Sequence, residues 1–262
     1  MSLKPNLFAA VCMLILGLGG RAEAQAEPTE AYPIWWAPEL GLYHLDQIDA
    51  VLNKDFPEIL WKVFASSDPN NTTKIIVDNC DSYLEATKNK YYKSNFRDRQ
   101  EQDEYARLRI RCETLGMLKK ASPAETSYLK DFVFAAGVLD FLPEMVRQNF
   151  HHERTCEIRR ANKKGIPWSQ FEDFPLVDVA SQTKMVVLGS RWGVRLEIMA
   201  RGDLDGDTLD DILVRSSLLP LPTGYAGDIR LYVLTRFSAD GVLRVLNPPH
   251  IWSSCDLDRG VT

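Results

Sequence analysis

Apolar residues in the first half of the chain recur mostly at helical spacing. Three- and four-residue steps from Leu45 to Leu52 predict a short helix, and Glu58 to Phe64 is a second candidate. The longest stripe predicts a helix from about Arg97 to Lys120 that buries Cys112. Between these helices, a turn at Asp68 to Asn71 is followed by a predicted short strand from Lys74 to Val77. The pattern therefore favours a mainly helical N-terminal region.

A capping pattern follows the long helix. Ser122 stands at the N-cap position, Pro123 at the first helical position and Glu125 at the third. This arrangement predicts another helix, which extends to about Val138.

After about His151 the spacing changes from helical to strand-like. Short β-branched or alternating segments are separated by Gly, Pro and Asp turns, and Ser238 to Gly241 is typical of a hairpin loop. The predicted strands are Met185–Leu188, Val194–Met199, Ile212–Arg215, Ile229–Thr235 and Val242–Leu246. The sequence thus predicts an α+β fold, with a mainly helical region over 25–150 and a small antiparallel β region over 151–262.

The first 24 residues have the pattern of a cleavable signal peptide. A basic start and an apolar stretch from Leu7 to Gly20 precede Ala22 and Ala24, which define a cleavage site before Gln25. The stretch is shorter than the roughly 20 apolar residues of a spanning helix, which disfavours the alternative of an uncleaved anchor. We therefore expect a periplasmic or secreted protein with no integral membrane segment after cleavage.

Net charge and cysteine content indicate which partners and which redox compartment to expect. The formal net charge of −5 gives no basic surface of the kind that nucleic-acid binding requires, so no nucleic-acid partner is expected. Four cysteines follow the cleavage site, and an even number in an exported chain favours two disulfides. We expect Cys80 to pair with Cys112 and Cys156 with Cys255, because each bridge then stays within one region. Free buried thiols are the alternative.

The loop between two predicted strands carries the most specific chemical signal. Four aspartates occupy its positions one, three, five and nine, Gly206 permits a tight turn, and the residue at position seven can offer its backbone carbonyl. The predicted ligands are Asp203, Asp205, Asp207, Leu209 and Asp211. So many flexible oxygen ligands suit Ca²⁺ better than Mg²⁺, and we expect one structural calcium ion. The alternative is a solvated acidic hairpin without an ion. Asp210 is expected to face the solvent.

This run resembles the calcium loop of FG-GAP or integrin-type repeats, D-x-D-x-D-G-x-x-D, followed by an apolar strand such as Ile212–Val214. It differs in having Thr208 where glycine is usual. The match covers about a dozen residues and occurs once, so the resemblance implies the ion site and not a propeller of repeats. An EF-hand is excluded because Val214 stands where that loop requires a carboxylate. The run Arg201 to Asp207 also resembles the R-G-D-x-x-G-D loop of exported bacterial proteins.

Other candidate groups lack the spacing of known catalytic motifs. His151, His152 and Glu153 do not form H-E-x-x-H, and no serine lies in a G-x-S-x-G elbow. The sequence therefore favours a non-enzymatic interaction protein with a protein partner, such as an inhibitor or immunity-type binder in the envelope. The alternative is an envelope or cell-wall hydrolase whose catalytic residues lie among these histidines, Glu153 and the acidic loop.

Overall fold

The computed structural model describes residues 31–56, 62–68, 71–93, 96–143, 146, 152–171, 176–189, 193–219 and 229–246. Its α-helices are α1 (Ile48–Leu52), α2 (Cys80–Lys88), α3 (Arg99–Leu118) and α4 (His152–Lys164). Its strands are β1 (Trp35–Trp36), β2 (Lys62–Ser66), β3 (Lys74–Val77), β4 (Tyr91–Tyr92), β5 (Leu176–Ser181), β6 (Lys184–Leu188), β7 (Gly193–Gly202), β8 (Asp211–Leu218), β9 (Ile229–Thr235) and β10 (Arg244–Val245). The predicted mixture of helices and antiparallel strands is confirmed.

The main sheet is an antiparallel meander of the C-terminal strands. Its order is β10-β9-β8-β7-β6-β5, with β1 added beside β7. Strand β6 pairs with the first half of β7, from Gly193 to Glu197, and β1 pairs with Ala200 and Arg201 further along. The ten-residue β7 therefore pairs both with a strand of the C-terminal meander and with β1 from the N-terminal half of the chain.

Both faces of the central strands of this sheet are buried. One face carries Ile198, Val214 and Tyr232, which pack against Trp168 and residues of the segment from Leu129 to Val146. The opposite face carries Met199, Leu213 and Val233, which pack in a second core with residues of α1, α2 and α3. Because neither face meets solvent, the central strands are almost continuously apolar rather than alternating.

Helix α3 forms where its apolar stripe predicts it. The Asp98 side chain caps its N-terminus by accepting a 2.8 Å hydrogen bond from the Glu101 backbone N–H. Its buried face includes Ile110, Cys112 and Leu115. The helix therefore lays one stripe on the second core and leaves the opposite side to solvent.

The predicted Cys80–Cys112 disulfide is present and joins α2 to α3 across a sequence separation of 32 residues. Both cysteines are buried. Cys156, on α4, is also disulfide-bonded. Its expected partner, Cys255, lies outside the described residues.

The N-terminal half also contributes a small second sheet, of order β3-β2-β4. The strand expected at Lys74–Val77 is confirmed, but the helix expected from Glu58 to Phe64 is wrong where the structure describes it, because β2 begins at Lys62. Backbone pairing of Phe64 with Ile75 satisfies polar groups that a lone short helix would expose. The N-terminal region therefore contains strands as well as helices, and α4 lies within the region predicted to be sheet.

The helix predicted by the capping pattern at Ser122 is also wrong. Ser122 and Asp203 exchange backbone hydrogen bonds of 3.1 and 2.9 Å, and Thr126 pairs with Leu209. These contacts occupy the backbone groups that a helix would need. The described segment from Ser122 to Gly137 is consequently irregular, and only Val138–Asp140 forms a 3₁₀ turn.

None of the described helices combines the length and the apolarity needed to cross a membrane.

Candidate metal site

The acidic loop connects β7 to β8 at one end of the main sheet. Gly202, the last residue of β7, has φ +141° and lies against Ile34 and the Ser122 carbonyl. A Cβ at this position would come within 3.2 Å of Ile34 and 3.3 Å of that carbonyl oxygen. Glycine is therefore required for the close approach of the Ser122 segment to the loop.

Asp203 organises the loop from its centre. Its Oδ1 accepts hydrogen bonds from the backbone N–H groups of Gly206 at 2.7 Å and Asp207 at 3.1 Å. Its Oδ2 accepts from the Thr208 N–H and the Ser122 hydroxyl, both at 3.1 Å. The carboxylate is only 3% exposed, so these four donors hold it in one orientation.

Asp211 is fully buried at the start of β8. Its Oδ2 accepts a 3.0 Å hydrogen bond from the Leu204 N–H, whereas its Oδ1 has no hydrogen-bond partner among the described residues. Burial raises the pKa of this carboxyl to about 7, the Leu204 N–H and the Thr235 hydroxyl act against the rise, and the nearby charges of Asp205 and Asp207 add to it. An orphaned buried carboxylate oxygen is costly unless a proton or a cation satisfies it.

Three of the predicted ligands converge. One carboxylate oxygen each from Asp203, Asp205 and Asp211 lie within 4.8 Å of one another. Asp205 is exposed, and its pKa is raised by partial burial and by the charge of Asp207. Asp207 lies outside this group of three; its Oδ1 accepts a 2.8 Å hydrogen bond from the Leu209 N–H.

At its sixth position the loop has Thr208 where the calcium-loop pattern usually has glycine, and the backbone there has a positive φ. Thr208 adopts φ +71°, the left-handed region that β-branched residues rarely occupy. The Thr208 carbonyl accepts hydrogen bonds from Glu125 at 2.9 Å and Thr126 at 3.2 Å. Two backbone donors of a distant segment therefore help to hold a strained residue in place.

The expectation that Asp210 faces solvent is wrong. Asp210 is 5% exposed, and its carboxylate accepts a 2.7 Å hydrogen bond from the Ser127 hydroxyl. Burial raises its pKa, while Ser127 and the guanidinium of Arg201 act against the rise. Arg201 in turn donates to the backbone carbonyls of Leu129 and Phe132. Because the loop packs against another segment, Asp210 at its end is interior, although Asp205 and Asp207 in the turn remain exposed.

The loop is thus fastened to the irregular segment 122–129, and sequence reasoning missed the residues that do it. The Ser122–Asp203 and Ser127–Asp210 hydrogen bonds join residues 81 and 83 positions apart. No local pattern relates side chains at such separations. Serine and aspartate pairs of this kind are visible only once the chain has folded.

The remaining sequence candidates contribute little to the described site. His151 lies outside the described residues, and His152 begins α4. Trp168 is fully buried and belongs to the core of the sheet. The chemistry that the described residues assemble is therefore the oxygen cluster of the β7–β8 loop.

Fold and site together define a mixed α+β protein with a carboxylate-rich loop at the end of an antiparallel sheet. The donor set is all oxygen, one member is orphaned and buried, and three carboxylates converge. Such a set fits a hard divalent cation. Comparison of the chain with known proteins found no matching family, no matching curated protein and no matching solved structure.

Proposed function

We propose that this chain is an exported, disulfide-bonded interaction protein whose β7–β8 loop is stabilised by one calcium ion. The signal-peptide pattern supports export, and the Cys80–Cys112 bridge suits an oxidising compartment. In this proposal the protein acts as an inhibitor or immunity-type binder of an envelope protein.

The buried, unpartnered Oδ1 of Asp211 carries the calcium proposal. Asp203, Asp205 and Asp211 bring negative charge to one point, and the hydrogen bonds to Asp203 and Asp211 come from neutral donors. A divalent cation between these oxygens offsets their repulsion and satisfies the orphan atom. The cation would be held by Asp203, Asp205 and Asp211, with Asp207 and the Leu209 carbonyl as the further expected ligands. Its role is to brace the loop and the Ser122 segment attached to it.

Thermal unfolding in calcium and in EDTA tests this role. At free calcium about a hundredfold above the dissociation constant, the folded state gains about 2.7 kcal/mol, which for a chain of this size raises Tm by roughly 5–10 °C. Asp205→Ala removes one of the three converging carboxylates and should abolish the difference between the two buffers. Asp178→Ala, an exposed aspartate on β5, is the matched control and should keep the full shift.

The calcium shift should also grow as pH rises from about 5 to about 8. The pKa of Asp211 is raised in the folded state, so without a cation folding favours the protonated acid and loses that contribution as pH rises towards about 7. Calcium binds the carboxylate form and therefore competes with the proton. Melts that coincide in calcium and EDTA at pH 8 would leave the loop as an acidic turn without an ion.

The interaction surface that we propose is the edge formed by β5. Among the described strands, β5 stands at one end of the main sheet, and it exposes Leu176 to 65% and Val179 to 37%. Apolar side chains on an edge strand invite pairing with another chain, and proteins usually protect such edges with charge or bulges. A partner that adds a strand here would cover both side chains.

Crosslinking of the exported protein in its native envelope tests this surface. Wild type should capture a partner, and Leu176→Lys should lose it without a change in Tm, because the added charge lies on an exposed edge. Ile76→Lys is the matched control, since Ile76 is 61% exposed on the small sheet. Equal capture by the Leu176 variant and wild type would place the interface elsewhere.

A further inference from the structure

A pocket of about 530 Å³ lies next to segment 122–129, to which the β7–β8 loop is fastened. The 127–141 segment forms most of its wall, and Arg236, just after β9, closes one side. The side chains that matter for binding are Tyr128, Asp131, Phe132, Val133, Phe141 and Arg236. Tyr128, Val133 and Phe141 are each more than a third exposed, so apolar surface faces the opening.

Arg236 places a cation in this wall, which combines apolar and polar surface. Its guanidinium carbon lies 5.1 Å from the ring centroid of Phe141 and 5.9 Å from that of Phe132. Its Nη1 donates hydrogen bonds to the backbone carbonyls of Tyr128 at 3.3 Å and Ala239 at 3.2 Å. Its Nε is buried and has no hydrogen-bond partner among the described residues. The hydrogen bonds and ring contacts of this cation are therefore with neutral groups, while the charge of Asp240 stabilises it from a greater distance. Its hydrogen-bonding capacity is incompletely used.

From this geometry we propose that the pocket binds a small ligand that joins one carboxylate to a flat apolar body. The carboxylate pairs with the Arg236 guanidinium through N–H groups that the Tyr128 and Ala239 carbonyls do not occupy. The apolar body covers the exposed surfaces of Val133 and Phe141. The volume lies within the range of small-molecule sites, which combine apolar walls with a few polar groups that fix orientation.

The charges around the pocket favour a low negative charge on the ligand. Lys130 and Arg236 line the pocket together with Asp131, and the charge of Asp240, the residue after the lining residue Ala239, also acts on Arg236. The two acidic side chains repel a dianionic phosphate more strongly than a monoanion, which favours a single carboxylate. The pocket and the cation site are proposed to bind different ligands. A failure to bind calcium would therefore not contradict the proposal for the pocket.

Titration with three simple probes tests the proposal. Benzoate should bind in the millimolar range and shift amide resonances of the 127–141 segment in ¹⁵N-resolved NMR spectra. Benzyl alcohol, which has the ring without the charge, and acetate, which has the charge without the ring, should each bind at least about tenfold more weakly, because each lacks one of the two contacts.

Variants then assign the binding to this pocket. Arg236→Gln should reduce benzoate affinity to that of benzyl alcohol, whereas Arg244→Gln should leave it unchanged. Arg244 is the matched control because its guanidinium carbon lies 5.3 Å from the Phe237 ring centroid, yet it does not line the pocket. Ala136→Trp fills the pocket from an exposed position, keeps Arg236 and should also block benzoate, which covers the case in which Arg236→Gln fails to fold. Equal affinities for benzoate and benzyl alcohol, or no benzoate binding up to about 10 mM, would overturn the proposal.

Discussion

Replacing Asp210 with alanine is expected to lower the free energy of unfolding by about 2–3 kcal/mol. The substitution leaves the Ser127 hydroxyl without the acceptor it contacts at 2.7 Å and removes the negative charge that stabilises the partly buried Arg201. It also frees one side of the attachment between the loop and the 122–129 segment. Urea unfolding in EDTA measures this effect without any contribution from a bound cation.

Two further variants separate the causes. Asp210→Asn keeps an oxygen that can accept from Ser127 and removes a buried charge whose pKa is raised, so its cost should be clearly smaller than that of alanine. Asp207→Ala alters an exposed aspartate of the same loop and should stay within about 1 kcal/mol of wild type. If Asp210→Ala unfolds at the wild-type urea concentration, the buried role assigned to this carboxylate is incorrect.

Loss of the Cys80–Cys112 bridge is expected to destabilise the fold by about 3–4 kcal/mol. The bridge closes a loop with a sequence separation of 32 residues. Opening this loop increases the conformational entropy of the unfolded chain, which lowers the free energy of the unfolded state by about 3–4 kcal/mol. Both cysteines are buried between α2 and α3, so a reductant reaches them slowly in the folded state. The double variant Cys80→Ala, Cys112→Ala should therefore unfold at a much lower urea concentration than wild type.

Reduction of the wild-type protein in denaturant provides the matched comparison. The reduced chain keeps both sulfur atoms in the core and lacks only the covalent link, whereas the double alanine variant loses sulfur packing as well. Most of the loss should already be present in the reduced wild type, because the loop entropy dominates. Equal stability of oxidised and reduced wild type would show that the bridge adds nothing to folding.

Sequence periodicity was most informative where local pattern and tertiary environment agree. Helix α3 and the strands β3 and β9 appear where apolar spacing predicts them. Two predictions failed for the same physical reason: the Ser122 capping pattern and the apolar run before Phe64 favour helices locally, but the backbone pairs with other segments of the chain. Local propensity is worth tenths of a kcal/mol per residue, and tertiary pairing readily exceeds it.

Within the acidic loop, the sequence determined which carboxylates alternate, where the turn needs a residue with positive φ, and that Asp203, Asp205 and Asp211 belong together. It did not determine that Asp207 lies apart from these three or that Asp210 is buried. Those outcomes depend on Ser122 and Ser127, which come from a segment more than 80 residues earlier. The pocket at Arg236 has the same origin, because its walls come from 127–141 and from the chain after β9. A sequence specifies residue types and local spacing, whereas burial and hydrogen-bond partners between distant segments are fixed only when the sheet is covered on both faces.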